Sequence, residues 1–282
     1  MTVTTVVTSA SPTYAGQPVT FTATVTSTHG PIPNGDLVAF YEGATAISAV
    51  PLNSGKAAYT TSSLVGGRTH SITAKYAGDS SFMPSWGTVW QVVQRYSTTT
   101  TIVAQPNPSN YAEAVTWIAT VNSTGPTIPT GTVRFKGALG KASLSGGKAT
   151  YVQRWLDAGT HSVTAEYQGD GFSAPSASAV LNQVVFPAST TTTLTASPNP
   201  SFVGQTVTFT AKVKSSTGAS PIGTVTFVAG TTVLGTVTIG NSPTNISTSA
   251  LAIGSTVIKA IYSGGVMDFT ASQGALTQTV NP

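Results

Sequence analysis

Three histidines, eight carboxylates and four tryptophans are the residues through which this chain could do chemistry, and their spacing decides what kind. A nucleophile relay needs an imidazole within hydrogen-bond reach of a hydroxyl or thiol, and a third group to orient it. His70 and His161 stand at matching places in two similar segments, and His29 sits in a loop. Matching places in separate segments cannot converge. The carboxylates Asp36, Glu42, Asp79, Glu113, Asp157, Glu166, Asp170 and Asp268 are scattered, with one in the last third of the chain. No catalytic residue is assigned, and the chain is expected not to be an enzyme. His70 and His161 are read as corner residues whose rings bond nearby backbone.

Asp79 and Asp170 each follow a glycine in a Gly-Asp turn and are the weak candidates for a calcium ligand. Calcium takes six to eight oxygens and usually several carboxylates, and only Asp36 or Asp157 would help. The competing reading is an Asx turn, in which the carboxylate accepts bonds from its own loop backbone. The third segment has Gly265 where the Asp would stand, which favours the turn. No metal or cofactor is assigned.

The tryptophans divide differently. Trp117 replaces Phe21 and Phe209 in an alternating strand and is read as core. Trp86 and Trp90 lie out of register with Val89, Gln91 and Val93, so they point away from the core, and Trp155 precedes a corner leucine. Exposed tryptophan serves as a stacking platform for sugars or as an interface anchor. Trp86, Trp90 and Trp155 are therefore the candidate contacts to a ligand or partner, against a contact between domains or shielding by a loop.

Composition limits the partners. Only 7% of residues are charged, with 12 cations against 8 anions, and Lys212/Lys214 is the densest basic spot. Nucleic-acid binding needs clustered cations and is excluded. There is no cysteine, so no disulfide and no thiolate site. No run of 18 apolar residues occurs, so no membrane insertion is expected. Met1 leads directly into a Thr/Val strand without the charged and apolar regions of a signal peptide; for an exported protein, the expectation is a mature or excised segment.

The elements that carry these residues recur. Ser-Thr-Thr-Thr-Thr appears at Ser97–Thr101 and Ser189–Thr193, with a degenerate copy at Thr2–Thr5. Each copy leads to a strictly alternating run: Val19, Phe21, Ala23, Val25; Val115, Trp117, Ala119, Val121; Val207, Phe209, Ala211, Val213. Period-2 alternation marks a half-buried antiparallel strand. Pro-rich loops follow at Gly30–Pro33, Gly125–Pro129 and Gly218–Pro221. A corner Leu precedes Gly by three residues (Leu64/Gly67, Leu156/Gly159, Leu251/Gly254), and the last strands carry Gln91, Gln183 and Gln278 in the core register. About seven short strands in about 90 residues make one β-sandwich. The fold class is all-β: three tandem immunoglobulin-like sandwiches in an elongated array, at 1–95, 96–187 and 188–282. The joints, Gln94–Ser97 and Phe186–Ser189, are short, and each carries an aromatic able to wedge between domains. At a strand rise of ~3.3 Å per residue the array should span roughly 110–130 Å.

The motifs Thr192–Pro200, Gly204–Ala211, Thr160–Asp170 and Leu276–Val280, repeated in fixed order, resemble the bacterial Ig-like repeat domains. Unit 1 departs by one inserted residue before Phe40; unit 3 departs by Thr256 in place of the His and by Gly265. The resemblance implies tandem modules of exported or cell-surface bacterial proteins, hence an extracellular or cell-surface location. The expected function is a non-catalytic structural or adhesive segment: a stalk, spacer or adhesion module. Two alternatives stand beside it, a self-assembling extracellular fibre subunit and a carbohydrate-binding module using exposed Trp. The implied partners are a protein, a cell-surface glycan or another copy of the chain.

Overall fold

The computed structural model describes residues 1–240, 244–265 and 267–282. Its described residues are organised as three β-sandwiches in series, as the period-2 runs require. In the first, β1 (Thr2–Thr8), β3 (Val19–Ser27) and β6 (Lys56–Thr61) form one sheet in the order β1-β3-β6. Opposite lie β2 (Thr13–Tyr14), β4 (Leu37–Glu42), β5 (Thr45–Pro51), β7 (Arg68–Tyr76) and β8 (Ser85–Gln94), ordered β2-β8-β7-β4-β5. The second module repeats this plan. Its small sheet joins β9 (Thr98–Gln105), β11 (Val115–Ser123) and β14 (Lys148–Gln153). Its large sheet joins β10 (Ser109–Asn110), β12 (Thr132–Lys136), β13 (Gly140–Ser143), β15 (Gly159–Tyr167), β16 (Ser176–Ala177) and β17 (Leu181–Phe186).

The third module has β18 (Thr190–Ser197), β20 (Val207–Ser215) and β23 (Thr244–Thr248) in one sheet. The other holds β19 (Ser201–Phe202), β21 (Thr224–Ala229), β22 (Thr232–Thr238), β24 (Gly254–Tyr262) and β25 (Ser272–Asn281). Pairing is antiparallel except where the two-residue strands β2, β10 and β19 run parallel to β8, β17 and β25. No helix of the described residues is long and apolar enough to cross a membrane.

Each core is built by the inward set of the alternation. Phe21, Phe40, Ile72 and Tyr76 fill the first, Trp117, Phe135, Val163 and Tyr167 the second, and Phe209, Phe227, Ile258 and Tyr262 the third, all buried. Burying an aromatic of this size contributes about 2–3 kcal/mol. Two of the three tyrosine hydroxyls find partners at the rim: Tyr76 donates to Asp36 Oδ2 at 2.7 Å and Tyr262 to the Ile222 carbonyl, while the buried Tyr167 hydroxyl has none. Burial and then the neighbouring carboxylate push the Tyr76 hydroxyl well above its ordinary range.

The threonine runs are strands in their own right, forming much of β1, β9 and β18. Half of each run turns inward instead of decorating the outside. Thr4, Thr100 and Thr192 each bond the hydroxyl of Ser85, Ser176 or Ser272 at 2.7 Å, tying the first strand to the last in modules 1 and 3 and to β16 in module 2. Gly87 and Gly274 lie where a Cβ would strike the Thr4 and Thr192 carbonyls, so this approach depends on glycine. The buried Gln91, Gln183 and Gln278 pin the Pro-rich turn after the first strand. Their amides donate to Thr13, Ser109 and Ser201 hydroxyls at 3.0, 3.0 and 3.2 Å.

Candidate functional site

The chemistry-bearing residues separate into closed corners, module joints and one open sheet face. At the corner of module 1, His70 is 2% exposed; Nδ1 lies 2.6 Å from Glu42 Oε1 and Nε2 lies 2.8 Å from the Val65 carbonyl. Arg68 reaches the same Glu42 oxygen at 3.1 Å. Both ring nitrogens are therefore committed to acceptors, and neither is free to take a proton from a substrate hydroxyl. His161 makes the matching bond, Nε2 to the Asp157 carbonyl at 2.8 Å. The backbone-bonding corner expected from sequence is present in both. Glu42 has no sequence signal, because it reaches His70 and Arg68 of β7 across the β4–β7 pairing and not along the chain.

Asp79 and Asp170 close their own turns. Asp79 Oδ1 accepts the Ser81 and Phe82 amides at 2.6 and 2.8 Å. Asp170 Oδ1 accepts Phe172 and Ser173 amides at 2.8 and 2.6 Å, while Oδ2 takes the Thr130 amide and hydroxyl at 2.9 and 2.8 Å. Burial works against the Asp170 charge, but these four donors outweigh it and hold the carboxyl at about 2. A carboxylate so committed to amides has few lone pairs left for a cation. Among the described residues no three His, Asp or Glu side chains gather in a metal-holding group.

The 170s turn has a second role, at the joint. Tyr96 donates its amide to the Phe172 carbonyl and accepts from the Ala174 amide, both at 2.8 Å, forming a one-residue parallel bridge to Ser173. Gly66 donates to the Gly171 carbonyl at 2.9 Å, and Tyr96 stacks on Tyr14 of module 1 at a centroid distance of 4.7 Å. Gly125 leaves the room that the Tyr96 ring occupies. The second joint repeats the plan. Ala188 donates to the Asp268 carbonyl at 2.8 Å and accepts from Thr270 at 3.0 Å, bridging Phe269. Ala158 donates to Asp268 Oδ1 at 2.9 Å, and Tyr111 meets Phe269 edge-on at 5.2 Å.

The expected wedge at Phe186 is not there. Phe186 ends the β17 ladder in the outward register and is 52% exposed, so Tyr111 supplies the aromatic contact instead. Trp155 belongs to the same cluster: its ring meets Tyr111 edge-on at 6.2 Å, on backbone with φ of 64°, while remaining 61% exposed.

Trp86 and Trp90 stand apart from both joints. They are 71% and 65% exposed on the outer face of β8, opposite Lys75 and Ser71 of β7. Four residues of strand set them about 13 Å apart. Between them Thr88 bonds Thr73 at 2.9 Å, and Lys75 Nζ sits 4.5 Å over the Tyr41 ring on the same face. The equivalent positions are Ala177 and Asn182 in module 2 and Gln273 and Thr277 in module 3, so the aromatic face is confined to module 1. A depression of about 700 Å³ beside the end of β3, lined by Val25, Ile32, Pro33 and Asn34, brings no titratable group to bear.

Three similar sandwiches, joined through single bridging residues and carrying their contact groups on faces and ends, define a modular Ig-like array. Residues 4–94, 101–185 and 194–281 each match the family described as Bacterial Ig-like domain (group 3), and the chain belongs to that family. Comparison with curated proteins found no match. Among solved structures the chain is similar to invasin, described as a bacterial integrin-binding protein, at 14% identity and a TM-score of 0.41, over 99% of this chain and 60% of that one. It is similar to FdeC, an Escherichia coli adhesin, at 14% identity and a TM-score of 0.32, over 100% and 97%. The fibronectin(III)-like modules of Clostridium thermocellum CbhA match at 18% identity and a TM-score of 0.28, over 64% and 94%. The family assignment rests on the sequence match alone.

Proposed function

We propose that the chain is a non-catalytic structural or adhesive segment of an extracellular bacterial protein, a stiff spacer that presents module faces at a fixed distance and orientation. The observation that carries this reading is the repeated joint, in which one linker residue is hydrogen-bonded on both sides into the next module's turn. Two such bonds plus an aromatic contact restrict bending far more than a Gly/Ser coil does. The low charge leaves faces able to approach neighbours without strong repulsion. Amide residual dipolar couplings measured in one alignment medium test it. A stiff array gives one alignment tensor for all three modules, and independent tensors contradict it. Antibody labelling of intact against permeabilised cells tests the location, with signal on intact cells expected.

A second reading is favoured by the Trp86–Trp90 face: module 1 binds an extended glycan by stacking sugar rings on the two indoles, flanked by Lys75, Thr73 and Ser71. Titration of tryptophan fluorescence with a polysaccharide panel should give quenching that Trp90→Ala removes. An unchanged spectrum across the panel retires it.

A further inference from the structure

Module 1 carries two exposed indoles and an exposed cation on a single sheet face, and the three stand together in neither of the other modules. Trp86 and Trp90 occupy the outward register of β8; Lys75 of β7 pairs with Trp86, Thr73 with Thr88 and Ser71 with Trp90. Beyond β7, Tyr41 of β4 pairs with Thr73, and the Lys75 ammonium lies 4.5 Å over its ring, a contact that keeps the cation on this face. In module 2 the place of Lys75 is taken by Glu166, 3.9 Å from Lys136, and in module 3 by Ile261.

The face is open by its position in the sandwich. Modules 2 and 3 each have a module before them, and there the matching positions, Ala177 and Asn182, Gln273 and Thr277, are exposed as well. A preceding module therefore does not reach this surface. Its charge has one sign, because no carboxylate stands in the outward register of β4, β7 or β8. The acids at the ends of these strands are engaged elsewhere: Glu42 with Arg68 and His70, Asp36 with the Tyr76 hydroxyl, and Asp79 with the Ser81 and Phe82 amides.

We infer that this face binds an extended polysaccharide of uronic acids, with sugar rings over Trp86 and Trp90 and a carboxylate at Lys75. The inference rests on the glycan reading of the face and names the charge which that glycan carries. The indoles are set about 13 Å apart along the strand, farther than one sugar ring reaches, so the ligand is a chain and not a free sugar. In an extended uronate chain successive rings are turned over, and the carboxylates alternate between its two edges. Lys75 flanks the indoles on the β7 side alone, which suits one such edge. Single-stranded nucleic acid also stacks on indoles, but its groove tracks the phosphate backbone with a run of cations, and this face supplies one.

The test is titration of the tryptophan fluorescence of the whole chain with mannuronate oligosaccharides and with the same oligosaccharides after carboxyl reduction, which keeps rings and linkages and removes the charge. At about 0.01 M salt the uronate should bind about two- to fivefold more tightly, the span of one exposed ion pair, and at about 1 M salt the preference should vanish. Lys75→Gln should abolish the preference and leave the neutral chain bound as before, while Trp90→Ala should remove the binding of both. Both substituted residues are exposed, and circular dichroism confirms that the variants are folded. Equal affinity for the two chains, or a Lys75→Gln variant that keeps the preference, overturns the inference and leaves the glycan reading standing. No quenching by either chain removes both. Oligothymidylate that quenches as strongly as the uronate overturns the polysaccharide in favour of a nucleic acid.

Discussion

Tyr14 and Tyr96 lie face to face across the first joint, ring centroids 4.7 Å apart and planes 15° from parallel. Tyr96 thus does two jobs, stacking on module 1 while its backbone bridges module 2. Tyr96→Ala removes the stack and keeps the bridge, at a cost of about 0.5–1.5 kcal/mol in joint order. Proteolysis between Gln94 and Ser97 should quicken several-fold while the Phe186–Ser189 joint is cut at its former rate. Equal cleavage of wild type and variant would show that the stack does not hold the joint.

The glutamine clamps predict a gain of stability. In module 1, Thr8 donates to Gln91 Oε1 at 2.6 Å; in module 3 the matching residue is Ala196, and Gln278 Oε1 is buried without a partner. An unmade buried bond costs roughly as much as making it returns, so Ala196→Thr should stabilise module 3 by about 1 kcal/mol. Chemical denaturation followed by the module 3 amide signals checks this. Gln183 is orphaned in the same way beside Ala104, but Trp117 stands where Phe21 and Phe209 do, so the module 3 site is the cleaner test.

Asp170 makes module 2 sensitive to acid. Its folded value of about 2 lies below the ordinary 3.8, so the stabilisation is complete above about pH 4 and is lost as pH falls toward 2. Asp170→Ala should cost about 1–2 kcal/mol at neutral pH, discounted for partial exposure, and should flatten the acid dependence of module 2 in that window. Because the same turn holds Tyr96, the first joint should loosen with it. Melting curves at pH 2 to 7 decide the matter, and a variant that keeps the wild-type acid slope contradicts the assignment.

Much of this was readable from residue order. Alternation at Val19–Val25 and its two copies placed the cores, because period 2 admits one inward set. His70 and His161 were readable as corner residues from position, and Asp79 and Asp170 as turn residues from the preceding glycine. What pairing across sheets creates was not readable. Glu42 beside His70, Ser85 beneath Thr4 and Tyr111 against Phe269 are each distant in sequence. The inward half of the threonine runs is not legible in sequence because Thr satisfies an outer face equally well, and only the bonds to Ser85, Ser176 and Ser272 reveal it. In sequence Trp155, before a corner leucine, looks as exposed as the out-of-register Trp86 and Trp90; only the joint geometry separates them.

The stiffness of the joints is tested most directly by small-angle X-ray scattering of the dilute chain. Strand rise places the maximum dimension at roughly 110–130 Å for three modules in line. A pair-distance distribution reaching that length, with the tail of a rod, is the predicted result. A distribution ending at the length of two modules, or one that fits only a broad mixture of bent shapes, contradicts a stiff array.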